Sequence, residues 1–223
     1  LELTEAHRFP NAFNALNGYA YWDVAGLFAQ VREGLQAAQR LFPDLAACGV
    51  DTWGVDYAML DAHGRLAFPI HAYRDTRTEP LRDAIVEAGD DRQLYEWTGL
   101  PPVNYNSGIQ LKETLDAFPL LREMVERVLF LPDYFNYLLT GEQCNEISIA
   151  STSQLLDLGG PGFSKSALDY FGLPEKWFQG PEKAGRRLGK IRGIQNLDTV
   201  EGVLVPGHDT SCAFEAIPTI GKD

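Results

Sequence analysis

Asp209 is the residue in this chain best placed to do chemistry. It follows the apolar run Gly202-Val203-Leu204-Val205-Pro206 and lies within Gly207-His208-Asp209-Thr210-Ser211, a pattern that predicts a strand ending and a helix beginning. A carboxylate at the mouth of an α/β sheet can accept a proton from the hydroxyl of a bound substrate. The same position suits a helix N-cap, where the carboxylate satisfies the first helical amides. Spacing alone leaves both readings open. A second group surrounds Trp53-Gly54, which is flanked by Asp51 and Asp56 in otherwise apolar surroundings. Gly54 would let a ligand approach the backbone closely, and Trp53 and Tyr57 offer ring faces of the kind that sugars pack against. Strand alternation could equally send one of the two acids to solvent. Arg74-Asp75-Thr76-Arg77 reads either as part of a site or as a solvated charge cluster.

Other motifs point away from several chemistries. Gly159-Gly160-Pro161-Gly162-Phe163-Ser164-Lys165-Ser166 has Ser164 where a phosphate-cradling loop needs glycine before the lysine, so it is expected to be a turn and a helix cap. The four histidines, His7, His63, His71 and His208, are too dispersed for a local metal-ligand motif, and no metal is expected from them. Neither Ser107-Gly108 nor the segment around Asp209 fits the frame of a serine nucleophile elbow.

The elements that must position these residues are legible in outline. Asp23 is a good N-cap, and Val24, Leu27, Phe28, Val31, Leu35 and Ala38 recur at helical spacing up to Pro43. Leu1-Glu2-Leu3-Thr4 reads as the inside of a strand. Residues 48–54 and 55–60 read as two extended runs joined at a glycine, pairing in hairpins and with the opening segment, and Asp61-Ala62-His63-Gly64 reads as a turn. From Thr78 the character becomes helical. Starts are expected at Thr78-Glu79-Pro80 and Asp91, an apolar helical repeat runs from Ile109 to Val125 with an interruption at Pro119, and a helix begins at Pro132-Asp133 and stops at Gly141. Ser164 and Gly172 bracket another. The fold class is therefore α/β, with a mixed sheet and a helical insertion.

Composition narrows the partners. The 223 residues carry a formal net charge of −12 and 45% hydrophobic side chains, enough for a substantial core and without a basic surface for a nucleic-acid backbone or an anionic membrane. No stretch approaches the roughly 18 apolar residues of a membrane span. Cys48, Cys144 and Cys212 lack the paired spacing of a zinc site and read most simply as reduced thiols of a cytoplasmic protein.

Several segments, in order and over nearly the whole chain, are similar to the FGGY carbohydrate kinases, and within them to the rhamnulokinase branch. They are His7-Arg8-Phe9, Asn17-Gly18 with Trp22-Asp23, Gly49-Val50-Asp51-Thr52-Trp53-Gly54-Val55-Asp56, Tyr73-Arg74-Asp75-Thr76-Arg77-Thr78, Leu131-Pro132-Asp133-Tyr134-Phe135, Ala150-Ser151-Thr152-Ser153-Gln154-Leu155 and Gly207-His208-Asp209-Thr210. Asp51-Thr52-Trp53-Gly54-Val55-Asp56 and His208-Asp209-Thr210 are the most specific, since the related glycerol and xylulose kinases carry different residues there.

The resemblance implies an actin-like, ribonuclease H-like domain over residues 1–217 that holds the sugar, with 218–223 starting a connection to a nucleotide domain. It also implies phosphorylation of L-rhamnulose at its C1 hydroxyl, with ATP and Mg²⁺ as cofactors of the intact enzyme and the sugar and ATP as its small-molecule partners. On this basis Asp209 matches the catalytic base, His208 and Thr210 the flanking substrate contacts, and Gly54 a substrate contact. Trp53, Tyr73 and Tyr105 fall near positions that line the sugar pocket. The family's Asp-x-Gly phosphate strand and nucleotide domain are not in this sequence, so the chain is expected to be inactive as a kinase by itself. A kinase for another sugar such as L-fuculose or xylulose, and a non-catalytic sugar-binding module, stand as alternatives.

Overall fold

The computed structural model describes residues 2–218. In chain order the elements are β1 (Phe13–Leu16), β2 (Tyr19–Trp22), α1 (Val24–Leu41), β3 (Ala47–Cys48), β4 (Tyr57–Leu60), α2 (Glu79–Ala88), α3 (Asp91–Thr98), α4 (Ser107–Ala117), α5 (Leu121–Met124), β5 (Arg127–Phe130), α6 (Leu131–Thr140), α7 (Ile147–Ala150), α8 (Lys165–Phe171), β6 (Arg187–Lys190), β7 (Glu201–Val203) and α9 (Asp209–Glu215). Local chemistry explains most of the boundaries. The Asp23 side chain accepts from the Gly26 amide and starts α1, Pro132 stands in the first turn of α6, and Gly141 and Gly172 end α6 and α8 in the left-handed conformation. Ser164 caps α8 by accepting from the Ala167 amide, so the glycine-rich segment before it is the turn and cap its sequence suggested.

Three small sheets organise the strands: the hairpin β1-β2, the order β3-β7-β6, and the pair β4-β5. β4 and β5 are antiparallel, with Ala58 opposite Leu129. Both faces of this pair are covered. Tyr57, Met59, Val128 and Phe130 enter one core with Leu111, Leu115, Phe171 and Trp177, whereas Ala58, Leu60 and Leu129 enter a second with Phe135 and with Trp22, Leu27 and Phe28. Burial on both sides is why these strands read as continuous apolar runs rather than as alternation. Helices α2 to α5 form the insertion between β4 and β5. The stripe of α1 divides its residues between cores: Val24 and Leu27 join the second, and Val31 and Leu35 pack on a third around Leu139, Ile191 and Leu197.

Two strand expectations are corrected. Glu2 to Ala12 form no strand, because a strand requires a ladder partner and none lies beside them among the described residues. The runs 48–54 and 55–60 do not pair with each other either. β3 pairs in parallel with β7, and β4 pairs with β5, because the chain turns sharply at Val55, whose φ is +68°. The turn at Asp61–Gly64 is present, with the Gly64 amide donating to the Asp61 carbonyl at 2.9 Å. The expected connection over 218–223 lies outside the described residues apart from Pro218. Among the described residues no helix is long and apolar enough to cross a membrane.

Candidate functional site

The site is built where two parallel strands end. β3 and β7 run side by side, with Cys48 opposite Gly202, and their chains stay adjacent beyond the sheet. The Thr52 amide donates to the Gly207 carbonyl and the Asp209 amide to the Thr52 carbonyl, both at 2.9 Å. A Cβ on Gly49 would lie 2.5 Å from a methyl of Val205, so glycine is what permits this approach. The result sets Trp53-Gly54 beside His208-Asp209 in the crevice beyond the carboxyl ends of the strands, where ligands of open α/β sheets bind.

These residues line a cleft of about 510 Å³ together with Val55, Tyr73, Leu100, Pro101, Val103, Tyr105, Asn106 and Thr152, within the size range of small-molecule sites. Six of the seven residues singled out in the sequence therefore meet there: Trp53, Gly54, Tyr73, Tyr105, His208 and Asp209. Thr210 does not line the cleft; its amide and hydroxyl instead contact Asp209 Oδ1 at 2.7 and 3.3 Å.

Asp209 is the first residue of α9, and the N-cap is His208, so the expectation of Asp209 as the cap shifts by one position. His208 Nε2 also approaches Oδ1, at 3.4 Å, and the Asp209 side chain is 57% exposed. Oδ2 has no hydrogen-bond partner among the described residues. Behind this turn stands Glu146, which is 1% exposed. Its Oε2 accepts from the Gly207 amide at 2.8 Å, from the Ser148 and Ile149 amides at 2.9 and 3.1 Å, and from Ser148 Oγ at 2.5 Å. The His208 amide in turn donates to Ser148 Oγ at 3.3 Å. The Glu146 amide donates to both oxygens of Asp133, a fully buried residue whose carboxyl is pushed well above the usual range by burial.

The opposite wall depends on Val55, a β-branched residue in left-handed conformation, a strained state that needs outside support. Thr152 Oγ1 accepts from its amide at 2.9 Å and donates to the Ile149 carbonyl at 2.8 Å, and Ser107 Oγ donates to the Val55 carbonyl at 2.6 Å. A Cβ on Gly54 would meet the Thr152 methyl at 3.1 Å, so a side chain there would have to displace Thr152. Asn106 Oδ1 accepts from the Val103 amide and its Nδ2 donates to the Thr152 carbonyl. Tyr73 and Tyr105 meet edge to face with centroids 6.3 Å apart.

The two acids beside Trp53 part company. Asp51 is exposed, whereas Asp56 is 1% exposed, and burial pushes its carboxyl up to about 6 against the hydrogen bonds from Trp53 and Trp22 that favour its charge. The Arg74–Arg77 cluster is divided, with Arg74 and Thr76 exposed and Asp75 and Arg77 turned inward. Asp75 accepts from the Ala20 and Arg77 amides, Arg77 pairs with Glu113 at 2.8 Å, and Arg74 lies out over the Tyr73 ring. The sequence reading overlooked Asn106, Thr152 and Glu146. Asn before a helix start at Ser107 is a capping signal that could have drawn attention to the first of them.

No arginine or lysine lines the cleft, and among the described residues no group of three or more His, Cys, Asp or Glu side chains could hold a metal ion. The donor set here does not fit a magnesium-bound nucleotide.

Rhamnulokinases from Mannheimia succiniciproducens and Bacteroides thetaiotaomicron are 34% and 33% identical to the chain, over 98% and 100% of its length and 44% and 47% of theirs. The chain thus spans about half the length of the curated relatives it matches. Among solved structures, gluconate kinase from Lactobacillus acidophilus superimposes with a TM-score of 0.78 at 16% identity, over 90% of this chain and 41% of that one. A carbohydrate kinase from Novosphingobium aromaticivorans gives 0.75 at 22% identity, over 93% and 45%. The fold is the mixed α/β, actin-like and ribonuclease H-like architecture of these sugar kinases. Residues 3–213 match the N-terminal domain of the FGGY family of carbohydrate kinases, and the chain belongs to that family.

Proposed function

We propose that this chain forms the sugar-binding half of a kinase acting on L-rhamnulose at its C1 hydroxyl, with Asp209 as the base and with the MgATP used by the family held elsewhere in the enzyme. The observation that carries the reading is the meeting, in one cleft, of the Asp209 carboxylate, whose Oδ2 has no partner among the described residues, and of the Trp53, Tyr73 and Tyr105 rings. A carboxylate is ionised at neutral pH and can take the proton of a hydroxyl as that oxygen becomes the nucleophile. His208 and Thr210 hold Oδ1, which leaves Oδ2 to face the substrate. Gly54 lets the sugar lie against the backbone, and the aromatic rings cover its C–H faces. Phosphoryl transfer depends on holding the acceptor oxygen in line, and a cleft whose Val55 is held by Thr152 and Ser107 supports that positioning. The rhamnulokinase names of the sequence relatives support the choice of sugar.

The test is calorimetric titration of L-rhamnulose into the chain and into Asp209→Asn, with L-fuculose as the control ketose. The expected result is selective binding of L-rhamnulose, weakened about tenfold by the loss of one charged hydrogen bond. Preference for L-fuculose would reassign the sugar, and the absence of binding to either would overturn the reading.

A further inference from the structure

Asp56 does not line the cleft, yet it touches much of what shapes one wall. Its Oδ2 accepts the indole N–H of Trp53 at 2.7 Å, the indole N–H of Trp22 at 2.6 Å and the Tyr73 amide at 3.4 Å. Those donors come from three separate parts of the chain: β2, the turn after β3, and the segment at 70–73. The last runs beside β2, with the Trp22 amide donating to the Ile70 carbonyl and the Ala72 amide to the Ala20 carbonyl. The two indoles are drawn to 4.4 Å between centroids at 42°, and Phe13 closes edge-on against Trp22. Oδ1 is buried without a hydrogen-bond partner among the described residues; the neighbouring Gln110 side-chain amide donates instead to the Tyr105 carbonyl at 2.8 Å. A buried carboxylate with an idle oxygen is an expensive way to fill space, whereas one oxygen that collects three converging donors fixes the relative position of the groups carrying them.

We propose that Asp56 is the positioning residue of the sugar cleft: through Oδ2 it sets the orientation of Trp53 and the position of Tyr73, and so the shape of the wall that a ketose must match. This rests on the sugar-binding reading above for its consequence, but the packing claim stands on its own. Without the acceptor, the partly buried Trp53 N–H must find a partner elsewhere, and the ring that carries it lines the cleft. The indole then turns into the space that the sugar needs. One acceptor oxygen suffices for this role. Asparagine, which keeps an oxygen and places its amide nitrogen at the unpartnered Oδ1 position, should preserve the geometry, whereas alanine should not.

The experiment compares the wild-type chain with Asp56→Ala and Asp56→Asn by near-ultraviolet circular dichroism without ligand and by calorimetric titration of L-rhamnulose. Asp56→Ala is expected to lose the signal of the coupled Trp22 and Trp53 rings and to bind about 10- to 100-fold more weakly. Asp56→Asn is expected to retain both, with affinity within about threefold of wild type. An Asp56→Ala chain with an unchanged spectrum and unchanged affinity overturns the proposal, and so does a folded Asp56→Asn chain that loses both. If Asp56→Ala does not unfold cooperatively, Asp56→Asn decides the matter alone on the same criteria. If the wild-type chain binds no ketose, the sugar reading fails separately. The spectra then still decide the positioning claim, with loss in Ala and retention in Asn upholding it and no change in Ala overturning it.

Discussion

Glu146→Ala should be among the most damaging single substitutions near the cleft, although Glu146 is not part of its lining. The side chain is 1% exposed, and Oε2 alone accepts from three amides and one hydroxyl. Truncation to alanine strands the buried amides of Gly207 and Ile149, at roughly 1–3 kcal/mol each, and removes the cap of α7, worth about 1 kcal/mol. Some of this is returned. Glu146 is one of the charges that raise the Asp133 carboxyl, so its loss relieves repulsion between two buried acids. A net loss of about 3–4 kcal/mol is a large fraction of the roughly 5–15 kcal/mol that holds a domain together. Glu146→Gln keeps one acceptor oxygen but loses charge assistance, which about halves the strength of such bonds, and should cost about 1–2 kcal/mol. Urea denaturation at neutral pH measures both, provided the slope of the transition is unchanged. An alanine variant within about 1 kcal/mol of wild type, or a glutamine variant as damaged as the alanine one, would refute the idea that this one oxygen holds the Gly207–Asp209 turn in place.

The remaining predictions follow from the same geometry. Burial holds the Asp56 carboxyl at about 6 instead of 3.8, so the native state binds that proton more tightly than the unfolded chain. The resulting stabilisation is complete below about pH 4 and is lost as the pH rises through 6, a difference of about 3 kcal/mol. His71 acts in the opposite sense, because burial lowers it from 6.5 to about 4; its contribution is present above 6.5 and lost as the pH falls through 4. Asp56→Asn removes only the first of these. Its stability relative to wild type should rise from near zero at about pH 4 to about 3 kcal/mol at neutral pH, and a difference that does not vary with pH, measured by denaturation across that range, would contradict the assignment. Gly54→Ala should push Thr152 off the Val55 amide and weaken sugar binding about tenfold. Thr152→Ser removes the methyl that a new Cβ would meet at 3.1 Å and should recover part of the loss, so a double-mutant cycle that shows plain additivity would argue against this contact.

What could be read from the sequence was local. Caps and stops such as Asp23, Pro132, Gly141 and Gly172 act within a turn of their own position, and each stands where its chemistry predicts. β5 was missed because its apolar residues run into α6 without a turn residue between Phe130 and Leu131, and a short apolar run does not by itself distinguish strand from helix. β6 was missed because Arg187-Leu188-Gly189-Lys190 has little apolar character and carries a register shift with Gly189 at φ +93°. Thr152 and Asn106 reach the cleft through tertiary contacts that no spacing encodes. The same holds for the union of Trp53 with Asp209, which depends on the parallel pairing of β3 with β7 across more than a hundred intervening residues.

Asp209 shows how a local reading can hold two competing roles that the structure reconciles. From spacing, a carboxylate at a strand-to-helix turn either caps the helix or faces a substrate, and the two appear exclusive if the side chain is treated as a single acceptor. It has two oxygens. Because His208 takes the N-cap position, Asp209 moves into the first turn, where Oδ1 accepts from the Thr210 amide at 2.7 Å. That contact orients the carboxylate without using Oδ2. Asp56 divides its work in a similar way, with one oxygen collecting three donors and the other idle. At Asp209 the second oxygen meets an open cleft, whereas at Asp56 it meets the protein interior. The surroundings of that second oxygen are what make the former a candidate base and the latter a buried anchor.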